Sequence, residues 1–589
     1  MRLKIILYFM ISICLLLLFR VYSLSIKSNV YYEELAQRNY IKTIYSTAPR
    51  GAILDRNGVY LAINKIGFSI TVKPHLRRRD QDQLNKIFIL IHKYFPQYSI
   101  KKLYKKYRKA DSVYNHDYIS IVDYIPYDEF FKYYSIFNSN ENIKIVSATK
   151  RNYPFKDIAG HIIGYTGKIN QKDIKNDPTQ RYYHITGRSG LEKYYNKQLQ
   201  GTLGVKTVKV NSRYEIIDVL DETEPVSKNI ITTIDIRLQQ YIHNLFKGKS
   251  GAVIVMDIKT GELLAAGSFP EFDNNIFVNG VSFKQWNKIR NDFNHPFTNK
   301  IVNGQYPPGS VIKMGVAVSF LEHKIKPSFK VDCNASFIVG KRNFRCWKHN
   351  GHHITGFRKA IRESCDDFFY KGSVKVGINN IHDTLKRLGI GERTGVDQPN
   401  ESKGINPDKN WKQTIKHQPW YIGETVNGSI GQGYMLVTPL QIARYTAAIA
   451  TNVLPTPHFL KDNDLIQNKK VHISKRYLKI VHQGMYDVAN HPKGTASRYL
   501  KAKIKIAAKT GTAQVTGIAQ SEKKRMKEYE LTYFKRSHAW LTTYAPYKKP
   551  RYVITVIVEH GGHGGSAAGR MVSKIYNKLV ELKYIKVKR

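Results

Sequence analysis

A serine and a lysine three positions apart, Ser310 and Lys313, follow the turn Tyr306-Pro307-Pro308-Gly309. Two prolines and a glycine ahead of an apolar run predict a turn feeding a helix start, with Ser310 in its first turn. Residues i and i+3 share a helical face, so the Lys313 amine can reach the Ser310 hydroxyl. A serine needs a base to act as a nucleophile, and a desolvated lysine with a lowered pKa supplies one. The helix N-terminus lends backbone N–H groups and positive potential to a developing oxyanion. Ser-x-x-Lys alone arises by chance in any long chain. Two further elements make it specific. Ser364-Cys365-Asp366 precedes the apolar Phe368-Phe369-Tyr370, and Lys509-Thr510-Gly511-Thr512 ends a strand-like run. The three motifs in this order form a triplet associated with acyl transfer through a serine ester.

A second constellation lies among the cysteines. The chain has four, too few for a disulfide scaffold. Cys14 falls in an apolar run. Cys333, Cys346 and Cys365 all lie between the nucleophile and the end of the second motif, with His352 among them. Three thiolates and an imidazole make a tetrahedral zinc set, at looser spacing than a zinc finger. His349 and His353 are alternative imidazoles. A Cys333–Cys346 disulfide competes with this reading, and so do three buried free thiols.

The elements that must position these residues follow from pattern. Ala252 to Asp257 and Glu262 to Ser268 read as strands around the turn Lys259-Thr260-Gly261. Ile504 to Ala508, Ala539 to Tyr544 and Tyr552 to Glu559 read as buried strands near the other end. Helical patterns fill the middle, Pro439 to Ala450 among them. Strands at both ends with helices between them predict an α+β domain whose terminal strands share one antiparallel sheet. Upstream, Leu84, Ile87, Phe88, Ile91 and Phe95 follow helical spacing to a stop at Pro96. Residues 76–109 are dense in Lys, Arg and Tyr, which reads as a solvated basic face. Asn57-Gly58 predicts a tight turn between short strands, and Tyr31 to Thr47 reads as helical at first. Asp218, Asp221, Glu222 and Glu224 before Pro225 read as an inter-domain linker. Ile5 to Leu24 is almost wholly apolar, and at ~1.5 Å per residue it spans a ~30 Å hydrocarbon layer. Arg2 and Lys4 precede it, which places the short N-terminus in the cytoplasm and the rest outside. A cleaved signal peptide is the rival reading, since Ser23 and Ser25 form a small-x-small pair.

Composition sets the bounds. At 589 residues, 42% hydrophobic and 24% charged, the chain is neither disordered nor fibrous. The net charge of +49 predicts attraction to anionic surfaces, with compositional drift as the plain alternative. No phosphate loop, dinucleotide glycine pattern or His-Glu-x-x-His motif occurs, so no nucleotide cofactor is expected.

Beyond the triplet, the chain resembles the class B penicillin-binding proteins, and within them the cell-elongation subgroup. Carrying the resemblance are Arg50-Gly51-x-Ile53-x-Asp55-Arg56-Asn57-Gly58, Gly160-His161-Ile162-Ile163-Gly164-Tyr165 and the run Gly187 to Gly201. Ser429-Ile430-Gly431-Gln432-Gly433 and His538-Ala539-Trp540 agree as well, whereas no motif matches within about 70–150. One departure is Asp366, where the family at large has Asn, although Asp is familiar in the elongation subgroup. The resemblance implies a cytoplasmic stub 1–4, an anchor 5–24, a non-catalytic pedestal 25–225 with a head insertion near 70–150, and a transpeptidase domain 226–589. It implies a bacterial inner-membrane protein, single-pass, with its catalytic domain in the periplasm. The implied activity is peptidoglycan D,D-transpeptidation, with β-lactams as inhibitors. Ser310, Lys313, Ser364 and Lys509 would be catalytic, with Lys313 taking the serine proton. Asp366, Thr510, Gly511 and Thr512 would bind substrate, and backbone N–H groups of Ser310 and Thr512 would form the oxyanion hole. Some relatives carry a metal beside the active site, which favours one zinc on Cys333, Cys346, His352 and Cys365. Implied partners are stem peptides, a SEDS-type membrane glycosyltransferase and elongation-complex scaffold proteins, with no nucleic acid. Arg50, Asp55 and Arg56 suggest a partner-facing cluster, with a structural ion-pair network as the alternative. The rival functions are a scaffold with catalysis secondary, a β-lactamase, a β-lactam sensor and a D,D-carboxypeptidase.

Overall fold

Gly251–Asp257, Leu263–Phe269 and Tyr552–Val558 are buried at every residue. Such runs of Val, Ile, Leu and Ala need cover on both faces of their sheet. The computed structural model describes residues 2–27, 30–31, 34, 40–211, 216–461, 468–517 and 526–587. It supplies that cover with helices. Five antiparallel strands stand in the order Leu263–Phe269, Gly251–Asp257, Tyr552–Val558, His538–Ala545, Ala507–Ala513. The expected sheet shared by early and late strands is therefore present. Helices Ile236–Phe246, Pro439–Thr451, Lys475–Asn490 and Gly564–Glu581 pack against it. Pro439–Thr451 starts where the sequence predicts. Pro439 fills the first turn, where its missing N–H costs nothing, and Thr438 and Gln441 form a reciprocal capping box.

Two local expectations are corrected. Lys509-Thr510-Gly511-Thr512 lies inside its strand rather than at the end, because pairing with His538–Ala545 continues from Ala507 to Ala513. The acidic stretch before Pro225 is no linker. Ile216–Thr223 is a strand paired antiparallel with Leu203–Val210, and Lys206 meets Glu222 across it at 2.8 Å. Every residue of that strand is exposed, so its acids are charges on a solvated ribbon rather than a break in structure.

The chain forms two compact units. One comprises Met1–Gly51, Lys168–Thr186 and Lys197–Asn229, and the other Ala52–Gly167, Gly187–Asn196 and Ile230–Arg589. In the first, Arg2–Tyr22 is a helix with its side chains exposed, and the span Arg2–Lys27 is long and apolar enough to cross a membrane. Ile41–Thr47 is a strand against Leu203–Val210, whereas most of the helical start expected from Tyr31 falls outside the described residues. In the second unit, Ile53–Leu54, Tyr60–Val72, Ile119–Pro126 and Ile143–Asn152 form a sheet. Against it lies an aromatic core that includes Phe88, Phe95, Phe130 and Phe137. Helix Gln81–Tyr94 buries Leu84, Ile87, Phe88 and Ile91, as their spacing predicts. Helix Ile100–Ala110 buries only Leu103 and Tyr107 and leaves most of its lysines in solvent.

Candidate active site

The three motifs converge. Lys313 and Lys509 are wholly buried, and Ser364 is nearly so. Lys509 Nζ donates to Ser364 Oγ at 2.9 Å and to Thr510 O at 2.9 Å. From the other side, Lys313 Nζ donates to Ser364 O at 2.9 Å and lies 3.4 Å from Ser364 Oγ. One hydroxyl thus stands between two amines. Ser364 holds φ at 54°, a left-handed conformation that costs a non-glycine residue of order 1 kcal/mol and clusters at functional sites. Asp366 Oδ1 lies 2.6 Å from Lys313 Nζ, and its Oδ2 accepts the Trp347 N–H at 2.8 Å.

Ser310 occupies a 3₁₀ turn, Gly309–Ile312, and the α-helix proper begins at Lys313. This corrects the expected α-helical first turn. Gly309 adopts φ +53° and donates its N–H to Gly431 O at 2.9 Å, a geometry an α-helix excludes. A β-carbon on Gly309 would lie 2.9 Å from Thr512 O, so the turn that carries Ser310 abuts the Lys509–Thr512 strand. A β-carbon on Gly431 would lie 2.3 Å from Gly309 O. The Ser429–Gly433 motif is therefore a backbone seat for that turn. The Trp540 indole N–H donates to Pro307 O at 3.1 Å and fixes the turn from the neighbouring strand.

Burial holds the Lys509 amine well below its ordinary range. The Lys313 charge adds to this, and Asp366 opposes it. A buried hydroxyl held between two amines can move protons without solvent. Thr510 Oγ1, at 2.7 Å from Thr495 Oγ1, and the Lys509 amine supply a cation and hydroxyls of the kind that bind a carboxylate.

Behind this site the thiols gather. Donor atoms of Cys333, Cys346, His352 and Cys365 lie within 4.8 Å of one another, and all four residues are buried. His352 Nδ1 is 3.5 Å from Cys346 Sγ and 3.6 Å from Cys333 Sγ. The pairing of Lys330–Cys333 with His353–Gly356 sets Cys333 opposite His353, while the His353 side chain faces solvent and His352 turns inward. His349 is exposed and bonds Asn350. The three buried cysteines are free thiols, so the Cys333–Cys346 disulfide does not form here. Hydrogen bonds among the three thiols favour the thiolate on Cys333 and hold Cys365 in its protonated form.

Two residues escaped the sequence reading. Trp347 donates its backbone N–H to Asp366 and its indole N–H to Glu363 O and Ser364 O, each at 3.1 Å. Thr495 bonds Thr510. No spacing rule marks either residue, although Trp347 is one of only five tryptophans and directly follows a cluster cysteine.

The penicillin binding protein transpeptidase domain profile matches residues 251–579, and the penicillin-binding protein dimerisation domain profile matches 45–233. The Escherichia coli K12 peptidoglycan D,D-transpeptidase MrdA is 32% identical over 96% of this chain and 91% of its own length. The Helicobacter pylori penicillin-binding protein PBP2, solved in complex with MreC, is 41% identical with a TM-score of 0.86, over 92% of this chain and 99% of that one. A structure described as a peptidoglycan synthase complex gives a TM-score of 0.69 at 26% identity, over 98% of this chain and 97% of that one. With its two domain types, its triplet at one buried site and relatives aligned along nearly its whole length, this chain belongs to the class B penicillin-binding proteins of the penicillin-binding protein 2 and MrdA type.

Proposed function

We propose that the chain is a peptidoglycan D,D-transpeptidase that cross-links stem peptides during wall elongation through an ester on Ser310. The observation that carries this is the buried trio Lys313, Ser364 and Lys509, set beside a rigid turn that delivers Ser310. Ser310 Oγ attacks the carbonyl between two terminal D-alanines. Its proton passes to Lys313, the C–N bond breaks, and Ser364 relays a proton to the departing D-alanine. Backbone N–H groups of Ser310 and Thr512 stabilise the oxyanion, an effect worth several kcal/mol. Lys509, Thr510, Gly511 and Thr512 seat the terminal carboxylate. An amine from a neighbouring stem then attacks the ester and forms the cross-link, whereas water in its place gives D,D-carboxypeptidase activity. The bond exchanged supplies the free energy, so no nucleotide is needed. β-Lactams imitate the D-alanyl end and stop at the ester.

We assign residues 5–24 to a single-pass anchor in the inner membrane, 25–225 to the pedestal with its head insertion, and 226–589 to a periplasmic transpeptidase domain. The likeness to a penicillin-binding protein 2 solved with MreC and to a structure described as a peptidoglycan synthase complex supports work within a wall-building assembly, and we assign a SEDS-type glycosyltransferase as its polymerising partner. A pure scaffold would have no reason to bury two lysines against one serine.

Cys333, Cys346, His352 and Cys365 fit zinc. With Zn–S near 2.3 Å and Zn–N near 2.05 Å, a tetrahedron has an N···S edge of about 3.6 Å. The Nδ1–Sγ separations of 3.5 and 3.6 Å match that edge without rearrangement. Such an ion would be structural, bracing Cys365 and with it Ser364.

Labelling with a fluorescent penicillin, followed by mapping of the adduct, tests the central reading. The label should sit on Ser310 and vanish in Ser310→Ala, which leaves no cavity and folds normally. Labelling that persists at another serine defeats the assignment.

A further inference from the structure

A stripe of touching aromatic rings runs from the turn that carries Ser310 to the surface. Tyr306, just before the Pro307-Pro308-Gly309 turn, is buried and donates its hydroxyl to Glu559 Oε1 at 2.6 Å. Its ring lies 5.4 Å from that of His538, and His538 lies 4.8 Å from His560. His560 in turn meets Tyr533 at 4.9 Å and Phe534 at 5.6 Å. Phe293 closes the series, 5.7 Å from Phe534 and inclined to it at 60°. Exposure rises along the way. His538 and His560 are half-buried, whereas Tyr533 is 38% exposed, Phe534 52% and Phe293 77%. Backbone and side-chain bonds hold the stripe still. The His560 N–H donates to His538 Nδ1 at 3.1 Å, and the Gly562 N–H to Ser537 O at 2.9 Å. Ser537 gives its N–H and its hydroxyl to the Glu528 carboxylate, at 2.9 and 2.7 Å. The inner end adjoins the third motif, since His538 stands opposite Ala513 in the sheet. Single exposed rings are ordinary on a protein surface, but a contiguous set leading to a catalytic turn marks a binding surface.

We propose that Phe293, Tyr533 and Phe534 form a subsite for the glycan chain from which the stem peptide hangs. This rests on the transpeptidase reading above and concerns a part of the substrate that the three motifs do not touch. The C–H face of a pyranose is apolar and slightly positive, and a rigid aromatic ring offers it a flat, negative face at little cost in lost conformers. The reach agrees. Four ring-to-ring steps of 4.8 to 5.7 Å lead from Tyr306 through His538, His560 and Phe534 to Phe293. A stem of about five residues, fully extended, spans ~17 Å. With its D-alanyl end at Ser310, such a stem brings the sugar that carries it to the outer rings. Polar groups for sugar hydroxyls stand at the same rim, where the Tyr533 hydroxyl lies 3.5 Å from Asn294 Oδ1. The charges suit an acidic glycan, whose muramic acid units each carry a lactyl carboxylate once the peptide is removed. Lys535 and Arg536 follow Phe534, and Arg290 lies just before Phe293, with Asp292 and Glu530 as the acids among them. Three tilted rings are too narrow a face for a stable protein partner, which needs a far larger buried area.

The test uses full-length protein in detergent, first acylated with unlabelled penicillin, and the adduct is mapped. The probe is peptidoglycan chain stripped of its peptides by an amidase and labelled at one end, and binding is read as fluorescence anisotropy. Wild type should bind the chain with its nucleophile blocked, because the sugar seat lies outside the catalytic groove. Phe293→Ala and Phe534→Ala should each weaken binding about fivefold or more, the loss of one stacked ring. Phe534→Trp, which keeps a ring, should hold the wild-type affinity. Tyr114→Ala removes a ring that is 91% exposed and outside the stripe, and it should bind as wild type does. Phe293 and Phe534 are exposed, so truncating them opens no cavity in the core, and either variant alone decides. Unchanged affinity in the alanine variants, with the adduct on Ser310, overturns the subsite and spares the function. So does a wild type that fails to bind the chain, or one whose bound chain is displaced by free stem peptide. An equal loss in Tyr114→Ala would mean unspecific adhesion and overturns the subsite as well. An adduct on another serine overturns both readings.

Discussion

Cys346 is the residue through which the thiol cluster touches catalysis. Its Sγ faces His352 and also accepts the backbone N–H of Asp366, the partner of Lys313. Protein purified without chelator should hold about one zinc per chain by elemental analysis. Cys346→Ser should lose that zinc and slow penicillin acylation at least tenfold. Full zinc retention in the variant would remove Cys346 from the ligand set. Lys313→Ala should slow acylation by orders of magnitude, because it removes the base and leaves Asp366 an uncompensated buried charge, and a near-normal rate would exclude Lys313 from proton transfer. His161 sets a limit on acid stability. It is buried with Nε2 2.6 Å from Pro296 O, and burial lowers it from 6.5 to about 4. The folded state thus binds fewer protons than the unfolded state between these values. Stability should fall as pH drops from about 6.5 towards 4, by about 3 kcal/mol in total. In denaturant titrations, His161→Gln should flatten that slope, and an unchanged slope would show that other groups control it.

At the scale of elements, the active site depends on backbones that approach without side chains. Gly431 holds φ +71°, and its Cα faces the Gly309 carbonyl. Gly431→Ala should cost about 1–3 kcal/mol from strain at that φ, and more from the clash. Acylation should fall further than thermal stability alone accounts for, since the displaced turn carries Ser310; an unaltered acylation rate would mean that the turn is seated elsewhere. The strands of the central sheet were legible because runs such as Val253-Ile254-Val255-Met256 have only one way to be buried. The turn that carries Ser310 was placed to within one helical turn, but its 3₁₀ geometry was not visible, since Gly431 lies far away in sequence. The acidic strand Ile216–Thr223 was misread for a related reason. Its composition suits a linker, and only pairing with Leu203–Val210 makes it a strand.

At the scale of the molecule, residues 52–167 and 187–196 share one unit with the catalytic body, and buried polar contacts join their segments outside the head insertion to it. Asp55 accepts N–H bonds from Asn57, Val59 and Ile236, and Arg56 reaches Glu262 at 3.4 Å. Asp55 and Arg56 therefore take part in bracing the fold. Asn274 donates to the carbonyls of Gly160 and Gly164, Gln398 to Ile162 O, and Tyr195 to Asp397 at 2.8 Å. Arg151 and Glu192, both wholly buried, pair at 2.7 Å. A fragment of residues 226–589 loses the partners of Asn274, Gln398 and Asp397. It should still acylate with penicillin while folded, yet melt several degrees below a fragment of residues 45–589, because each stranded polar group costs about 1–3 kcal/mol. Equal melting temperatures would show that residues 45–225 add nothing to the stability of the catalytic body.

The sequence by itself determined the reaction class, the order of the motifs, the sheet that displays them and the apolar N-terminal segment. These are local matters: residue type, i to i+3 spacing and the period of burial are all written within short windows. The tertiary structure decided which imidazole joins the three thiols, that Asp366 pairs with Lys313 rather than standing open, that Trp347 holds both Asp366 and Ser364, and that residues 52–167 and 187–196 share one unit with the catalytic body. Each of those depends on atoms brought together from distant parts of the chain, where separation in sequence carries no record of separation in space.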